Sequence, residues 1–177
     1  MRLCAIGRPV MAIVLAGAVL QSLCGKAIAQ VSQEVRVVGA VQTPLTLSVE
    51  DLKAFPADKI ATLTVRRKVD DKDVPSTLRG VRLTAVLERA GLLAEDHRDW
   101  HHTIVVAIGT DGYRVVYSWP ELFNTEDGAD ALVVFERDGQ ALADREGRIA
   151  LAPGHDLRSG PRSVHWLARL DVRVLKE

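Results

Sequence analysis

Cysteine is scarce in this sequence, and neither sign of charge is in surplus. The two cysteines, Cys4 and Cys24, both lie within residues 1–29, and 23 Lys and Arg balance 23 Asp and Glu. A chain that starts at Gln30 therefore contains no thiol, which excludes disulfides and cysteine ligands for a metal. It holds 20 basic and 23 acidic residues, a net charge of −3. That balance offers no electrostatic basis for binding nucleic acid or an anionic membrane face.

Long apolar runs are also scarce, and the principal one lies near the N-terminus. Residues 10–20 follow Arg2 and Arg8 and precede the Ala-Ile-Ala of residues 27–29. A basic start, a short apolar core and a small-residue ending are typical of a secretory signal peptide. The run is too short to span a bilayer comfortably. The pattern therefore predicts cleavage after Ala29 and a periplasmic or secreted protein.

A lipoprotein signal at Cys24 is the alternative interpretation of this segment. The bulky Leu23 precedes that cysteine, where such signals favour a small residue. We therefore predict that residues 1–29 are the signal peptide and that residues 30–177 form a single domain. The mature chain is expected to have no membrane span.

The remaining sequence consists of short apolar segments separated by Gly, Pro and polar residues, which predicts an α+β domain made mainly of strands, with two or three short helices. Ser48 is predicted to cap one helix, and Leu83–Ala90 has the apolar spacing of another that ends at Gly91. The charged residues 66–73 are predicted to form a solvated hairpin tip. Strands are predicted at residues 35–38, 45–47, 61–65, 103–108, 113–117, 132–135, 148–151 and 167–174.

Two Asp-Gly pairs each stand next to an apolar run. Asp111-Gly112 and Asp138-Gly139 predict hairpins with type I′ turns, which require positive φ. Tyr113 starts the next strand and is predicted to be a packed aromatic. Asp111 and Tyr113 are also kept as candidate site residues, since they would lie at the edge of any neighbouring pocket.

The stretch "PGHDLRSGPRSVHW", residues 153–166, is the best candidate binding element. Glycine allows backbone N–H groups to approach an anion, and arginine can fork onto phosphate or carboxylate oxygens. Ser163 would add N–H groups if it caps a following turn. We expect Arg162 to be exposed and to contribute little to stability. The alternative is an irregular surface loop without a ligand. The candidates are His155, Arg158, Gly160, Arg162 and Ser163.

Other arrangements of polar residues are weaker. His97 and His101 have helical spacing but lie in a polar connection, so no metal site is predicted. His155 and Asp156, with the nearby serines, lack the nucleophile elbow of a hydrolase.

Five segments in order resemble the molybdopterin-binding domain of the sulfite-oxidase superfamily, especially its small exported single-domain members. The resemblance covers residues 34–174 and implies a mainly β fold in which loops enclose a pterin. In catalytic members a loop near the C-terminal end helps to hold the pterin phosphate, which corresponds to Gly160, Arg162 and Ser163. The segments are "VVGAVQTPLTLSVEDLKAFP", "LRGVRLTAVLERAGL", "GTDGYRVVYSWPEL", "VVFERDGQAL" and "RIALAPGHDLRSGPRSVHWLARLDVRV".

The chain departs from this family at one position that matters for chemistry. The resemblance implies a molybdenum-binding cysteine in or just after the strand at residues 61–65, but "IATLTVRRKVDD" contains none. Thiolate is the soft donor to the metal, and hard oxygen ligands are poor substitutes. We therefore favour a non-catalytic domain that binds a small anionic ligand or a protein partner, with no cofactor expected. The alternatives are an oxidoreductase whose molybdenum is held by the pterin alone and a structural accessory subunit.

Overall fold

The computed structural model describes residues 31–156 and 160–176, and for residues 67–69 the backbone only. The predicted signal peptide and Arg158 lie outside these ranges. The described chain confirms the α+β, mainly β class. None of its helices is long and apolar enough to cross a bilayer.

Ten strands form two sheets in the described residues. The first sheet has the order β2-β1-β10-β5-β6, and the second has the order β3-β4-β7-β8, with β9 paired to β7. The strands are β1 (Glu34–Gly39), β2 (Leu45–Ser48), β3 (Ile60–Val69), β4 (Lys72–Arg82), β5 (Thr103–Gly109), β6 (Arg114–Ser118), β7 (Leu132–Arg137), β8 (Gln140–Ala141), β9 (Ala150–Ala152) and β10 (Leu167–Val174).

Short helices connect these strands. The described residues contain five α-helices and a 3-10 turn at Ala57–Lys59, more than the two or three helices predicted. The helices are α1 (Val49–Lys53), α2 (Leu83–Ala90), α3 (Asp99–His102), α4 (Trp119–Asn124) and α5 (Glu126–Ala129).

Both predicted helices are confirmed with their caps. Ser48 and Asp51 form a reciprocal capping box at the start of α1. Gly91 ends α2 with φ +67°, a value that glycine tolerates well. The sequence interpretation missed α4, although its signal is present: Ser118 and Glu121 form a second capping box, with Pro120 at the helix start.

The main core fills one face of the first sheet. Val35 and Val37 of β1 are fully buried and alternate with exposed or half-buried residues, as period-2 patterning requires. The parallel pairing of β1 with β10 joins the beginning and the end of the domain. Residues of α2, α4 and the second sheet complete this core, among them Leu83, Leu87, Leu122, Phe135 and Leu151.

The two Asp-Gly hairpins differ in their turns. Asp138 and Gly139 both have positive φ and link paired Arg137 and Gln140, which confirms a type I′ turn. At the other hairpin only Gly112 has positive φ, so the type I′ prediction for Asp111-Gly112 is wrong. The β5–β6 connection is longer, and the Asp111 carboxylate accepts a hydrogen bond from the Tyr113 N–H at 2.9 Å.

The charged segment predicted as a hairpin tip joins β3 to β4. Asp70 and Asp71 have φ +48° and +62° and form its turn. The antiparallel pairing continues up to Val69 and Lys72, so the hairpin prediction is confirmed.

Candidate functional site

The fold brings together the two regions that the sequence nominated. Tyr113 Oη donates a hydrogen bond to the Pro161 carbonyl at 2.7 Å. Tyr117 Oη donates to the Arg162 carbonyl at 2.8 Å. Tyrosines of the β5–β6 hairpin therefore bond the backbone of loop residues 161 and 162. Tyr113 is 45% exposed, so the prediction that it is a packed aromatic is wrong.

Arg162 is bound by two carboxylates rather than exposed to solvent. Its Nε and Nη2 donate to Asp156 at 3.0 and 2.7 Å, and its Nη1 donates to Glu121 through a short contact. Its guanidinium carbon also lies 4.9 Å from the Tyr117 ring centroid. The Arg162 side chain is only 29% exposed. The expectation of an exposed guanidinium is therefore wrong, and the small contribution to stability inferred from exposure loses its basis.

We call Tyr117, Glu121, Asp156 and Arg162 the Arg162 cluster. The hydrogen bonds with Asp156 are the main cause that raises the pKa of Arg162. Burial is the main cause that raises the pKa of Tyr117, which is 1% exposed. One guanidinium faces two carboxylates, so with these groups ionised the cluster carries a net charge of −1. The two carboxylates therefore oppose the approach of a further anion to Arg162.

Helix α4 explains why Glu121 reaches Arg162. Glu121 occupies the third position of α4, where its N–H donates to Ser118 Oγ at 3.1 Å. Its Oε2 lies 3.4 Å from the Ser118 N–H, while Oε1 accepts from Arg162. The same carboxylate thus closes the capping box and pairs with Arg162.

His155 belongs to a separate chain of polar contacts. Its Nε2 lies 3.0 Å from Asp130 Oδ2, and Asp130 Oδ1 accepts from Arg82 Nη1 at 2.6 Å. The hydrogen bond from Arg82 is the main cause that lowers the pKa of Asp130. The His155 side chain is 60% exposed, so it lies at the surface beside the end of α5.

Gly160 and Ser163 form a turn rather than a helix start. The Ser163 N–H donates to the Gly160 carbonyl at 2.9 Å, and Gly160 has φ +121°. The next residue, Val164, pairs with Leu151 in a β-bridge, so the prediction that Ser163 caps a following turn is wrong. Ligand binding by Gly160, Arg162, Ser163 and His155 stays a prediction, and Arg158 lies outside the described residues.

The histidines noted in the sequence line a different cavity. His97 and His101 have ring centroids 6.4 Å apart and border a cavity of about 430 Å³ with Trp100. Within residues 31–156 and 160–176, no three His, Cys, Asp or Glu side chains are grouped so that they could hold a metal ion.

Two packed sheets, short helical connections and a loop in contact with the β5–β6 hairpin make up the described domain. The family described as "Oxidoreductase molybdopterin binding domain" matches residues 26–176, and the chain belongs to that family. It is a molybdopterin-binding oxidoreductase-like domain.

A solved structure supports the same fold. The chain is similar to the crystal structure of the sulfane dehydrogenase SoxCD from Paracoccus pantotrophus, with a TM-score of 0.60 and 20% identity. The match covers 82% of this chain and 40% of that chain. The sulfite-oxidase-type fold is thereby confirmed. No functionally curated protein matches the sequence.

Proposed function

We propose that this protein is an exported, non-catalytic member of the family, which binds a small anionic ligand or a protein partner. The observation that carries the proposal is chemical. Residues 30–177 contain no cysteine, whereas the resemblance implies a cysteine thiolate on molybdenum in catalytic members of the family. The chain also covers only 40% of the SoxCD chain, so the activity of that enzyme is not transferred to it.

The residues of β3 do not fit the metal that the family implies. Thr62 and Thr64 are exposed and Leu63 is buried, and residues 60–69 offer hydroxyl, cationic and aliphatic side chains only. Hydroxyl groups are hard, weakly acidic donors, and ammonium and guanidinium groups are cations, so none replaces a soft thiolate. This donor set therefore supports a role without protein-ligated molybdenum.

The Arg162 cluster gives a second argument. The loop that resembles the pterin-phosphate loop uses its described guanidinium on Asp156 and Glu121. A phosphate that approaches Arg162 would have to displace a carboxylate or lie beside two of them. Electrostatics at this position thus disfavour a tightly held pterin phosphate.

Export is proposed from the N-terminal sequence. The basic start, apolar run and Ala-Ile-Ala ending of residues 1–29 support cleavage after Ala29 and a periplasmic or secreted protein. N-terminal sequencing of protein from the native host should begin at or within a few residues of Gln30. An intact Met1, or a lipid on Cys24, would contradict this proposal.

Metal and pterin analysis tests the central claim. Protein purified from a host that makes the cofactor should carry little or no molybdenum and release no pterin on denaturation. A catalytic family member that retains the thiolate, produced in the same host, is the control for cofactor supply. Near one molybdenum per chain, with pterin released, would overturn the proposal and favour an oxidoreductase whose metal is held by the pterin alone.

A ligand screen by thermal melting separates a binding module from an accessory subunit without a ligand. A compound that binds only the folded state raises the melting temperature in proportion to the logarithm of its concentration above Kd. A family of small anions that raises it reproducibly would support the binding module.

A further inference from the structure

A second group of arginines lies on the other face of the first sheet. Arg36 of β1 and Arg169 of β10 are direct partners in the parallel ladder. Ile108 of β5 is the partner of Arg169 on its other side. These three side chains therefore form one row across the sheet, on the face opposite the main core.

The two arginines differ in their hydrogen bonds and ion pairs. Arg36 donates from Nε and Nη2 to Glu34 Oε1 at 3.0 and 2.7 Å. Arg169 is exposed, and among the described residues its guanidinium makes no hydrogen bond or ion pair. Arg169 therefore retains its donors for a ligand.

These residues border a cleft of about 490 Å³, within the size range of small-molecule sites. Arg36, Arg169 and Glu34 supply its charge, and Ile108 and Ala168 supply apolar surface. Two guanidinium groups and one carboxylate give a net charge of +1, opposite in sign to the Arg162 cluster.

We propose that this cleft binds a small organic monocarboxylate. Arg169 would take the carboxylate through two parallel N–H donors, the geometry that guanidinium favours. Ile108 and Ala168 would contact the apolar part of the ligand. The Glu34 carboxylate disfavours dianions, so inorganic phosphate should bind more weakly. This proposal rests on the proposed binding function and names its site and ligand class.

Benzoate is the probe, because it joins one carboxylate to a compact apolar ring. In a titration followed by amide chemical shifts, benzoate should shift Ile108, Ala168 and Arg169 in a saturable way. Benzamide, which has the same shape without the charge, and inorganic phosphate should produce much smaller shifts. An Arg169→Gln variant should bind benzoate at least about tenfold more weakly, since the paired donors are lost.

Arg173→Gln is the matched control. Arg173 lies on the same strand and face but pairs with Asp171 at 2.7 Å and does not border the cleft. Benzoate affinity should change less than about twofold in this variant, because only long-range screened charge is removed. The amide spectra also show whether both variants keep the native fold.

Three outcomes would overturn the proposal. They are absence of saturable shifts at benzoate concentrations on the order of 10 mM, equal effects of benzamide or phosphate, and unchanged affinity in Arg169→Gln. None of these depends on molybdenum, so the cleft can fail while the metal analysis still supports a non-catalytic protein. Conversely, bound molybdenum would overturn the proposed function without altering the benzoate result.

Discussion

Arg162 and Arg169 are close in sequence but have opposite surroundings. Arg162 lies in a loop rich in Gly, Pro and Ser, and two carboxylates and an aromatic ring enclose it. Arg169 lies on a regular strand and borders a cleft with no bonded partner in the described part of the chain. Loop composition nominated the first as the ligand-binding arginine, yet its guanidinium is already paired with two carboxylates, whereas the second has no such pair among the described residues. The neighbours of a guanidinium, more than its loop, decide whether it can receive an anion.

The largest expected effect is that of Arg162→Ala on stability. The substitution leaves Asp156 and Glu121 partly buried without their shared cation, and it removes the contact with Tyr117. We expect the free energy of unfolding to fall by about 2 kcal/mol, less than for a fully buried pair because Arg162 is partly exposed. Urea unfolding at neutral pH measures this change.

Arg169→Ala is the matched control for that measurement, since it removes the same side chain from a site without carboxylate partners. A loss of stability in Arg162→Ala no greater than in this control would remove the distinction between the two arginines.

Tyr117→Phe should lower the free energy of unfolding less than Arg162→Ala does. It deletes the hydrogen bond to the Arg162 carbonyl and keeps the buried ring, so we expect a loss of about 1 kcal/mol. Tyr113→Phe removes the neighbouring bond to Pro161 from an exposed side chain and should cost less. Thermal melting of both variants compares the two losses of stability, and a larger loss in Tyr113→Phe would contradict this ranking.

The Arg82–Asp130 pair tests whether a third arginine sets the pKa of its carboxylate partner. Because the hydrogen bond from Arg82 lowers the pKa of Asp130, an Arg82→Gln substitution should raise that pKa toward the ordinary value of an aspartate. In the native protein the stability contributed by Asp130 is fully present at pH values above the ordinary pKa of an aspartate. It is lost as pH falls through the lowered pKa. Carboxyl NMR titration measures the shift, and an identical Asp130 pKa in both proteins would exclude Arg82 as its cause.

Arg169→Gln should change the free energy of unfolding least. The side chain is exposed and has no ion pair among the described residues, so stability should change by less than about 0.5 kcal/mol. Urea unfolding at neutral pH measures this change as well. A loss comparable to that of Arg162→Ala would show that Arg169 is structural and would weaken the assignment of a ligand cleft.

Much of the fold could be predicted from local patterns. Alternating apolar residues in β1 and the helical spacing of Leu83–Ala90 identify the faces that meet the core. Ser48 and Gly91 mark helix ends because their preferences act within a few residues. The ordered segments also led to the correct family.

The errors arose where local patterns were too short or admitted several geometries. Helices α3 and α5 have four residues each, too few for a periodic apolar stripe. Asp-Gly favours a type I′ turn, but the β5–β6 connection adopts another turn because strand pairing stops at Ile108 and Arg114. Tyr113 is exposed, and its hydroxyl bonds the Pro161 carbonyl 48 residues away in the chain, a contact that no local pattern predicts.

By itself, the sequence determined the absence of thiol from residues 30–177, the mainly β class and the core-facing residues, since these depend on composition and short-range periodicity. Only the tertiary structure decided which charged groups surround Arg162 and Arg169. Helix α4 brings Glu121 to Arg162, and the β1–β10 ladder sets Arg36 beside Arg169. Coulomb energy depends on distance in space, and distances between residues far apart in the chain are set by packing and strand register.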